Sequence, residues 1–272
     1  MIIAVTNQKG GVGKTTTAFN VAAGLALMGK SVLLVDTDPQ GHSTVSCVVD
    51  ASVLQYSLYD AMTDAKVGIE QVIIPSTVPG LDIINSRISM AKLEPMLVGE
   101  IDGHFRMRDV LDPVKKKYDF IFLDTPPTLG LITINALVAA DRILIPIQAS
   151  YLSLEGTDDL LETIEKIRKI ANTELSIIGV IITLYDKRTN ISKDVVKQII
   201  GVFGDNVFET VVSKSVKLEE SPAYKESIFT YAPNSVGAAQ YQQIAEEILK
   251  RKLGKRLKKM RKRRPFLFLE KT

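Results

Sequence analysis

The sequence predicts an α/β protein with a doubly wound, mostly parallel sheet flanked by helices, and three observations lead to this prediction. Continuous apolar runs alternate with segments of helical period along the 272-residue chain. A glycine-rich turn joins the first apolar run to the first helical segment, and acidic residues directly follow two later runs. In such a sheet, ligands bind where the carboxyl ends of the strands meet.

The apolar runs are predicted as strands buried on both faces, because most of them lack a polar alternation. Residues 15–28 form a helical pattern that stops at Gly29. Residues 153–171 have the same spacing, and a last helix starts near Ser235 and should end before Pro265. The predicted strands are residues 2–5, 32–35, 81–84, 120–123, 143–147, 177–182 and 207–212.

Charge divides the chain into a domain, residues 1–249, and a basic C-terminal extension, residues 250–272. The extension carries twelve Lys and Arg against one Glu, whereas the first 249 residues are net acidic. A basic tail on an acidic body favours a polyanionic partner, and the alternative is a solvated, disordered end. No apolar stretch is long enough for a membrane span. Cys47, the only cysteine, permits neither an internal disulfide nor a cysteine-ligated cluster, which is typical of the cytoplasm.

The glycine-rich turn, residues 9–16, has the composition of a phosphate-binding loop. Its backbone N–H groups would hold phosphate oxygens, Lys14 would add charge at the β/γ-phosphates, and the Thr15 hydroxyl would ligate Mg²⁺. The usual pattern has a glycine where this chain has Gln8, and a second lysine, Lys9, follows. The predicted nucleotide-binding residues of the loop are Gly10, Gly11, Val12, Gly13, Lys14, Thr15 and Thr16.

Carboxylates follow two of the predicted strands. The run 32–35 leads into Asp36 and Asp38, and the run 120–123 leads into Asp124. Each carboxylate alone could equally be a helix cap or a turn former. Because parallel strands end at one edge of the sheet, together with the loop they predict a metal-binding and water-binding site.

These motifs resemble the deviant Walker A family of P-loop NTPases, and within it the ParA/Soj partition ATPases. The resemblance rests on KGGVGKTT at 9–16, DTDPQG at 36–41 and DTPP at 124–127, and it extends from residue 1 to about 250. Two further segments, 184–190 and 211–223, are also similar to the family. The resemblance implies a Mg²⁺-dependent ATPase that dimerises when ATP is bound and acts in chromosome or plasmid partition.

The resemblance also assigns roles to residues. It implies that Lys14 holds the phosphates, that Thr15, Asp36 and Asp124 form the metal site, and that Asp38 orients the attacking water. It further implies that Lys9 reaches the partner's phosphates in a homodimer, so that hydrolysis depends on dimerisation. Adenine contacts are implied for Pro222 and for residues 183–184.

DNA binding is the implied output. In the family, the ATP-bound dimer binds double-stranded DNA without sequence preference; the matching cations are Arg188 and Lys217, and Lys214, nearby, is added as a DNA contact. The family more often has arginine around the last two positions, so bidentate phosphate geometry is lost there. The resemblance further implies a ParB-like centromere-binding activator protein and a nucleoid-associated location in the cytoplasm. Four cations of the extension are added as DNA contacts: Lys255, Arg256, Lys258 and Lys259.

The main alternative is a positioning ATPase similar to MinD, which would attach to a membrane through the basic extension. DNA is favoured because the apolar stripe of this segment is thin beside its charge. A metabolic ligase of the same fold would need a substrate pocket that the sequence does not indicate. A binding module without turnover is disfavoured by the joint presence of Lys9, Lys14, Asp38 and Asp124. Nitrogenase-like iron proteins and arsenite pumps would need cysteines that are absent.

Overall fold

The computed structural model describes residues 1–48, 50, 54–150 and 156–263, with side chains in the last helix described as far as Lys252. Within these residues, no helix combines the length and the apolar composition that a membrane span requires.

In the described chain, seven strands form one sheet: β1 (Ile2–Val5), β2 (Val32–Asp36), β3 (Ile73–Pro75), β4 (Leu81–Ile84), β5 (Phe120–Asp124), β6 (Arg142–Gln148) and β7 (Ser176–Thr183). Their order across the sheet is β3-β4-β2-β5-β1-β6-β7. Every neighbouring pair is parallel except β3 with β4. β1 therefore lies inside the sheet, between the central strand β5 and β6, and the residues after β1 sit near the centre of the carboxyl edge.

The same residues contain eleven α-helices: α1 (Lys14–Leu27), α2 (His42–Cys47), α3 (Leu58–Thr63), α4 (Leu93–Val98), α5 (Arg106–Leu111), α6 (Leu131–Ala139), α7 (Thr157–Ile170), α8 (Asn190–Phe203), α9 (Val216–Glu220), α10 (Ile228–Tyr231) and α11 (Val236–Arg263).

Both faces of the sheet are covered by helices, as its fully buried strands require. On one face, Phe19 of α1 and Tyr241 of α11 belong to a single apolar core. On the other face, Leu137 of α6, Ile164 of α7 and Ile199 of α8 form a second core with the strands. The predicted doubly wound, mostly parallel sheet is confirmed.

One predicted strand, residues 207–212, is wrong as a regular strand. Two backbone hydrogen bonds join this segment to β7, from Phe208 N to the Val180 carbonyl and from Val212 N to the Ile182 carbonyl, both at 2.8 Å. Four residues of the segment thus span two residues of β7, so the segment bulges and forms no continuous ladder. The short edge strand β3 was not predicted.

The predicted helix 153–171 and the last predicted helix, which starts near Ser235, agree with the structure where the structure describes them. Residues 153–155 of the predicted helix 153–171 lie outside the described residues, as do Pro265 and residues 266–269. α11 begins one residue after Ser235 and runs without a break past residue 250. The division between a domain, 1–249, and an extension, 250–272, stays a prediction.

Candidate nucleotide site

Hydrogen bonds from three directions fix the loop between β1 and α1. Asn7 Nδ2 donates to the Pro146 carbonyl at 2.8 Å, and Asn7 Oδ1 accepts from the Lys9 amide at 3.0 Å. From the side of β7, Thr183 Oγ1 donates to the Val12 carbonyl at 2.8 Å. The backbone of the loop is therefore held in one shape by the protein itself.

Two glycines give the loop its curvature. Gly11 and Gly13 have φ angles of +73° and +83°, a region in which a residue with a Cβ atom is strained. Gly13 is also the N-cap of α1, so the loop leads directly into the helix N-terminus. The first amides of a helix lack helical acceptors and the helix dipole favours negative charge there. The resulting concavity suits phosphate.

Lys14 lies between the loop and the carboxylates. It is the first residue of α1, its side chain is buried, and Nζ donates to the Lys9 carbonyl at 3.0 Å. Burial lowers the pKa of Lys14, whereas the charges of Asp124 and Asp38 raise it. The ammonium group is held by a neutral carbonyl, and an anionic phosphate oxygen would be a stronger acceptor.

Asp36 and Asp124 end neighbouring strands and stand side by side in register. Both are fully buried. Burial, reinforced by the charge of Asp124, raises the pKa of Asp36 to about 8. Burial also raises the pKa of Asp124 to about 6, although hydrogen bonds from Ser43 and Thr15 lower it. Two crowded carboxylates of this kind would be stabilised by an added cation.

Two hydroxyl residues at the start of α2 hold these carboxylates, and sequence reasoning missed both. The Thr44 amide and Oγ1 each donate to Asp36 Oδ2 at 2.7 Å, and Ser43 Oγ donates to Asp124 Oδ2 at 2.8 Å. The available signal was the pair of hydroxyl residues that follows Gly41 and His42, in the first turn of a helix that comes after the acidic motif.

The second oxygen of Asp124 tests whether a metal ion fits. Oδ1 is buried and has no hydrogen-bond partner among the described residues. An unpaired buried polar atom costs about 1–3 kcal/mol, and more when it is charged. Mg²⁺ keeps several of its waters and binds proteins through one or two carboxylates, so a metal-bound water could donate to this oxygen. The carboxylate and the Thr15 hydroxyl that bonds to it are hard oxygen donors that fit Mg²⁺.

Asp38 lies next to the metal-site carboxylates and is almost fully buried. Its amide donates to Asp36 Oδ1 at 3.2 Å, and its own Oδ1 accepts from the Gln40 amide at 2.9 Å. These bonds fix the position of the carboxylate, and its charge acts on Lys14. The structure thus brings all the predicted phosphate and metal residues to one edge of the sheet.

A cavity of about 250 Å³ opens beside the loop on the face covered by α11. Gly13, Thr183, Leu184 and Pro222 line it together with the buried ring of Tyr241. The residues expected to contact adenine therefore lie around one cavity that continues from the phosphate loop.

The three cations expected to contact DNA within the domain each lie near a carboxylate. The Arg188 guanidinium binds Asp186 with two bonds, Nε to Oδ1 at 2.9 Å and Nη2 to Oδ2 at 2.7 Å. Hydrogen bonds from Arg188, with smaller effects of its charge and that of Lys214, hold the pKa of Asp186 well below the usual range. Lys217 Nζ donates to Glu220 Oε2 at 3.0 Å. The side chains of the four predicted contacts in the extension lie outside the described ones: Lys255, Arg256, Lys258 and Lys259.

Comparison with known proteins agrees with this geometry. A family model described as "AAA domain" matches residues 1–177. The sporulation initiation inhibitor protein Soj of Bacillus subtilis is 43% identical over 247 residues, which cover 91% of this chain and 97% of Soj. The chromosome partitioning protein ParA of Myxococcus xanthus is 38% identical over 250 residues, covering 92% of this chain and 88% of that protein. The chain belongs to the ParA/Soj family of partition ATPases.

A solved structure supports the same fold for the ParA/Soj chain. It is described as cobyrinic acid a,c-diamide synthase from Mycobacterium smegmatis with bound ATP analog and magnesium. Its TM-score is 0.82 at 30% identity, with 93% of this chain and 96% of that chain covered. The predicted family, fold and ATPase class are confirmed, while the roles of individual residues stay predictions.

Proposed function

We propose that this ParA/Soj chain is a Mg²⁺-dependent ATPase that dimerises when ATP is bound, binds DNA without sequence preference and acts in partition. The observation that carries the proposal is the assembly of Lys14, Asp38 and Asp124 around a preformed phosphate loop at one edge of the sheet. The family membership supplies the biological context of partition.

The loop binds the phosphates of ATP through its amides, and the base enters the adjoining cavity. Lys14 exchanges its bond to the Lys9 carbonyl for the β/γ-phosphates, because a hydrogen bond between two charged groups is stronger than one to a neutral carbonyl. Thr15 and Asp124 hold Mg²⁺, with Asp36 beside them. When bound, the metal neutralises charge on the phosphate oxygens.

Asp38 positions the water that attacks the γ-phosphorus. Its carboxylate is fixed by the Gln40 amide, so that little reorientation is needed at the moment of reaction. Lys9 acts across the dimer, where a cation delivered by the partner stabilises the charge that develops on the transferred group. The Lys9 amide is tied to Asn7, which anchors this residue at the base of the loop.

In the proposed function, ATP binding leads to dimerisation, and the ATP-bound dimer binds DNA. Arg188, Lys214 and Lys217 contact phosphates of double-stranded DNA, and dimerisation doubles their number on one assembly. A ParB-like protein stimulates hydrolysis and so releases the dimer from the nucleoid.

The DNA proposal is tested by the salt dependence of binding to a labelled duplex, measured by fluorescence anisotropy with Mg²⁺ and ATP. Substituting Arg188→Ala with Lys217→Ala should lower the slope of log K against log salt by about 1.8 per protomer. Lys166→Ala with Arg168→Ala is the matched control, because these two cations are also exposed and also paired with carboxylates. Equal slopes for the two variants would overturn the assignment of Arg188 and Lys217.

A further inference from the structure

α11 crosses the molecule from the edge that carries the nucleotide site to the opposite edge. Near its start, Tyr241 lines the base cavity and its hydroxyl lies 3.3 Å from Thr17 Oγ1. Eleven residues further along, Lys252 Nζ donates to the carbonyl of Asp119, immediately before β5 begins. At 1.5 Å per residue, these two points of the helix are about 16 Å apart.

Arg251 fixes the helix at the far edge. Nη1 donates to the Ile178 carbonyl at 2.8 Å and Nη2 donates to the Val207 carbonyl at 2.9 Å. Nη2 also pairs with Glu247 one turn earlier, at 2.7 Å. Because these bonds satisfy the guanidinium within the protein, Arg251 serves as an anchor rather than as a contact for an external phosphate.

Beyond these anchors α11 continues to Arg263, about 16 Å further. Residues 255–263 carry seven Lys and Arg and no acidic residue. The part of α11 that extends beyond the edge at which the strands begin is therefore densely positive.

We propose that residues 255–263 form a second DNA-contact element that works without ATP. The proposal rests on the proposed function in that both concern DNA phosphates, but it places this element at the edge of the sheet opposite the nucleotide site. The hydrogen bonds of Arg251 go to Ile178, Asn206, Val207 and Glu247, none of which belongs to the nucleotide site. Lys and Arg side chains stay charged at neutral pH whether or not ATP is bound, so the charge of the element does not depend on the nucleotide.

The composition of the element suits the phosphate backbone of DNA. Nine helical residues cover about 14 Å, and B-DNA presents one phosphate per about 1.7 Å, or about eight phosphates over that length. The seven cations of the element are therefore similar in number to the phosphates along that length. The apolar residues of the segment are Leu257 and Met260. A helix that lies in a membrane interface needs a broader apolar face.

The test measures binding of a fluorescent random-sequence duplex by the full chain in EDTA without nucleotide, over a series of salt concentrations. One variant carries Lys255→Gln, Arg256→Gln, Lys258→Gln and Lys259→Gln. Its slope of log K against log salt should be smaller than that of the unsubstituted chain by about 3.6. Between about 50 and 200 mM salt, the unsubstituted chain should therefore lose on the order of 100-fold more affinity than the variant loses.

The control makes the same change of charge at four exposed lysines elsewhere: Lys66→Gln, Lys166→Gln, Lys169→Gln and Lys197→Gln. It should keep the original slope. Equal binding by the two variants would overturn the proposal, as would binding of the unsubstituted chain to vesicles of phosphatidylglycerol but not to the duplex.

Adding Mg²⁺ and ATP separates this inference from the proposed function. Loss of the nucleotide-independent binding in the extension variant, together with an ATP-stimulated increment that survives there, supports both. Nucleotide-independent binding that is lost in the extension variant, with no ATP increment in any chain, supports the second element and contradicts the ATP-dependent DNA binding proposed for the dimer.

Discussion

Replacing Asp36 with asparagine should remove most of the pH dependence of stability between about pH 6 and pH 8, in protein free of Mg²⁺ and nucleotide. Asp36 is fully buried, and its burial together with the charge of Asp124 raises its pKa from 3.8 to about 8. Between these values the folded chain binds a proton that the unfolded chain releases. The stabilisation is complete below about pH 4 and is lost as the pH rises through about 8.

The pKa values set the magnitude. Linkage gives a fall of about 2 kcal/mol in the free energy of unfolding from pH 6 to pH 8 for Asp36. Asp124, whose pKa is raised to about 6, adds less than about 1 kcal/mol over the same interval. Burial raises the pKa of the neighbouring Cys47 thiol, which therefore stays neutral throughout. An asparagine oxygen can still accept both bonds from Thr44, whereas its NH₂ group would face the Asp38 amide, a cost of about 1 kcal/mol that does not depend on pH.

Urea unfolding followed by circular dichroism, at about pH 6, 7 and 8 in EDTA, measures this effect. The unsubstituted chain should lose about 2 kcal/mol across the series, and Asp36→Asn should lose less than about 1 kcal/mol. Asp159→Asn, at an exposed position of α7, is the matched control and should behave as the unsubstituted chain. Parallel curves for the unsubstituted chain and Asp36→Asn would refute the reasoning.

Three further predictions follow from named contacts. Lys14→Ala should weaken ATP binding by about 10- to 100-fold in isothermal titration, because a charged hydrogen bond to phosphate is lost; unchanged affinity would contradict the loop assignment. Arg251→Ala should lower the free energy of unfolding by about 2–3 kcal/mol, whereas exposed Lys250→Ala should change it by less than about 0.5, and equal urea midpoints would contradict the anchoring role. Asp186→Asn should tighten ATP-dependent DNA binding about two- to five-fold by releasing Arg188, and weaker binding in the anisotropy assay would count against Arg188 as a contact.

The sheet could be predicted from the sequence because its central strands are buried on both faces. The run 2–5 stands out as a continuous apolar segment and has the same bounds in the structure. β3 could not be found this way, since it is three residues long, ends in Pro75 and lies at the antiparallel edge. The segment 207–212 has the composition of a strand, but its bulge against β7 depends on pairing that no local pattern encodes.

The acidic site could be predicted because parallel strands end at the same edge, which places Asp36 beside Asp124. The support of these carboxylates by Ser43 and Thr44 could not, because it depends on the turn that brings α2 back over the strand ends. The pairing of Lys217 with Glu220 also required the folded chain.

The central claim is an ATP-bound dimer that Lys9 completes in trans, and sedimentation velocity with Mg²⁺ and ATP tests it most directly. Asp38→Ala should slow hydrolysis and accumulate a species of twice 29.9 kDa. Adding Lys9→Ala should return the protein to a monomer, whereas adding Lys30→Ala as a control should leave the dimer in place. A persistent dimer in the Asp38→Ala, Lys9→Ala protein would contradict the claim.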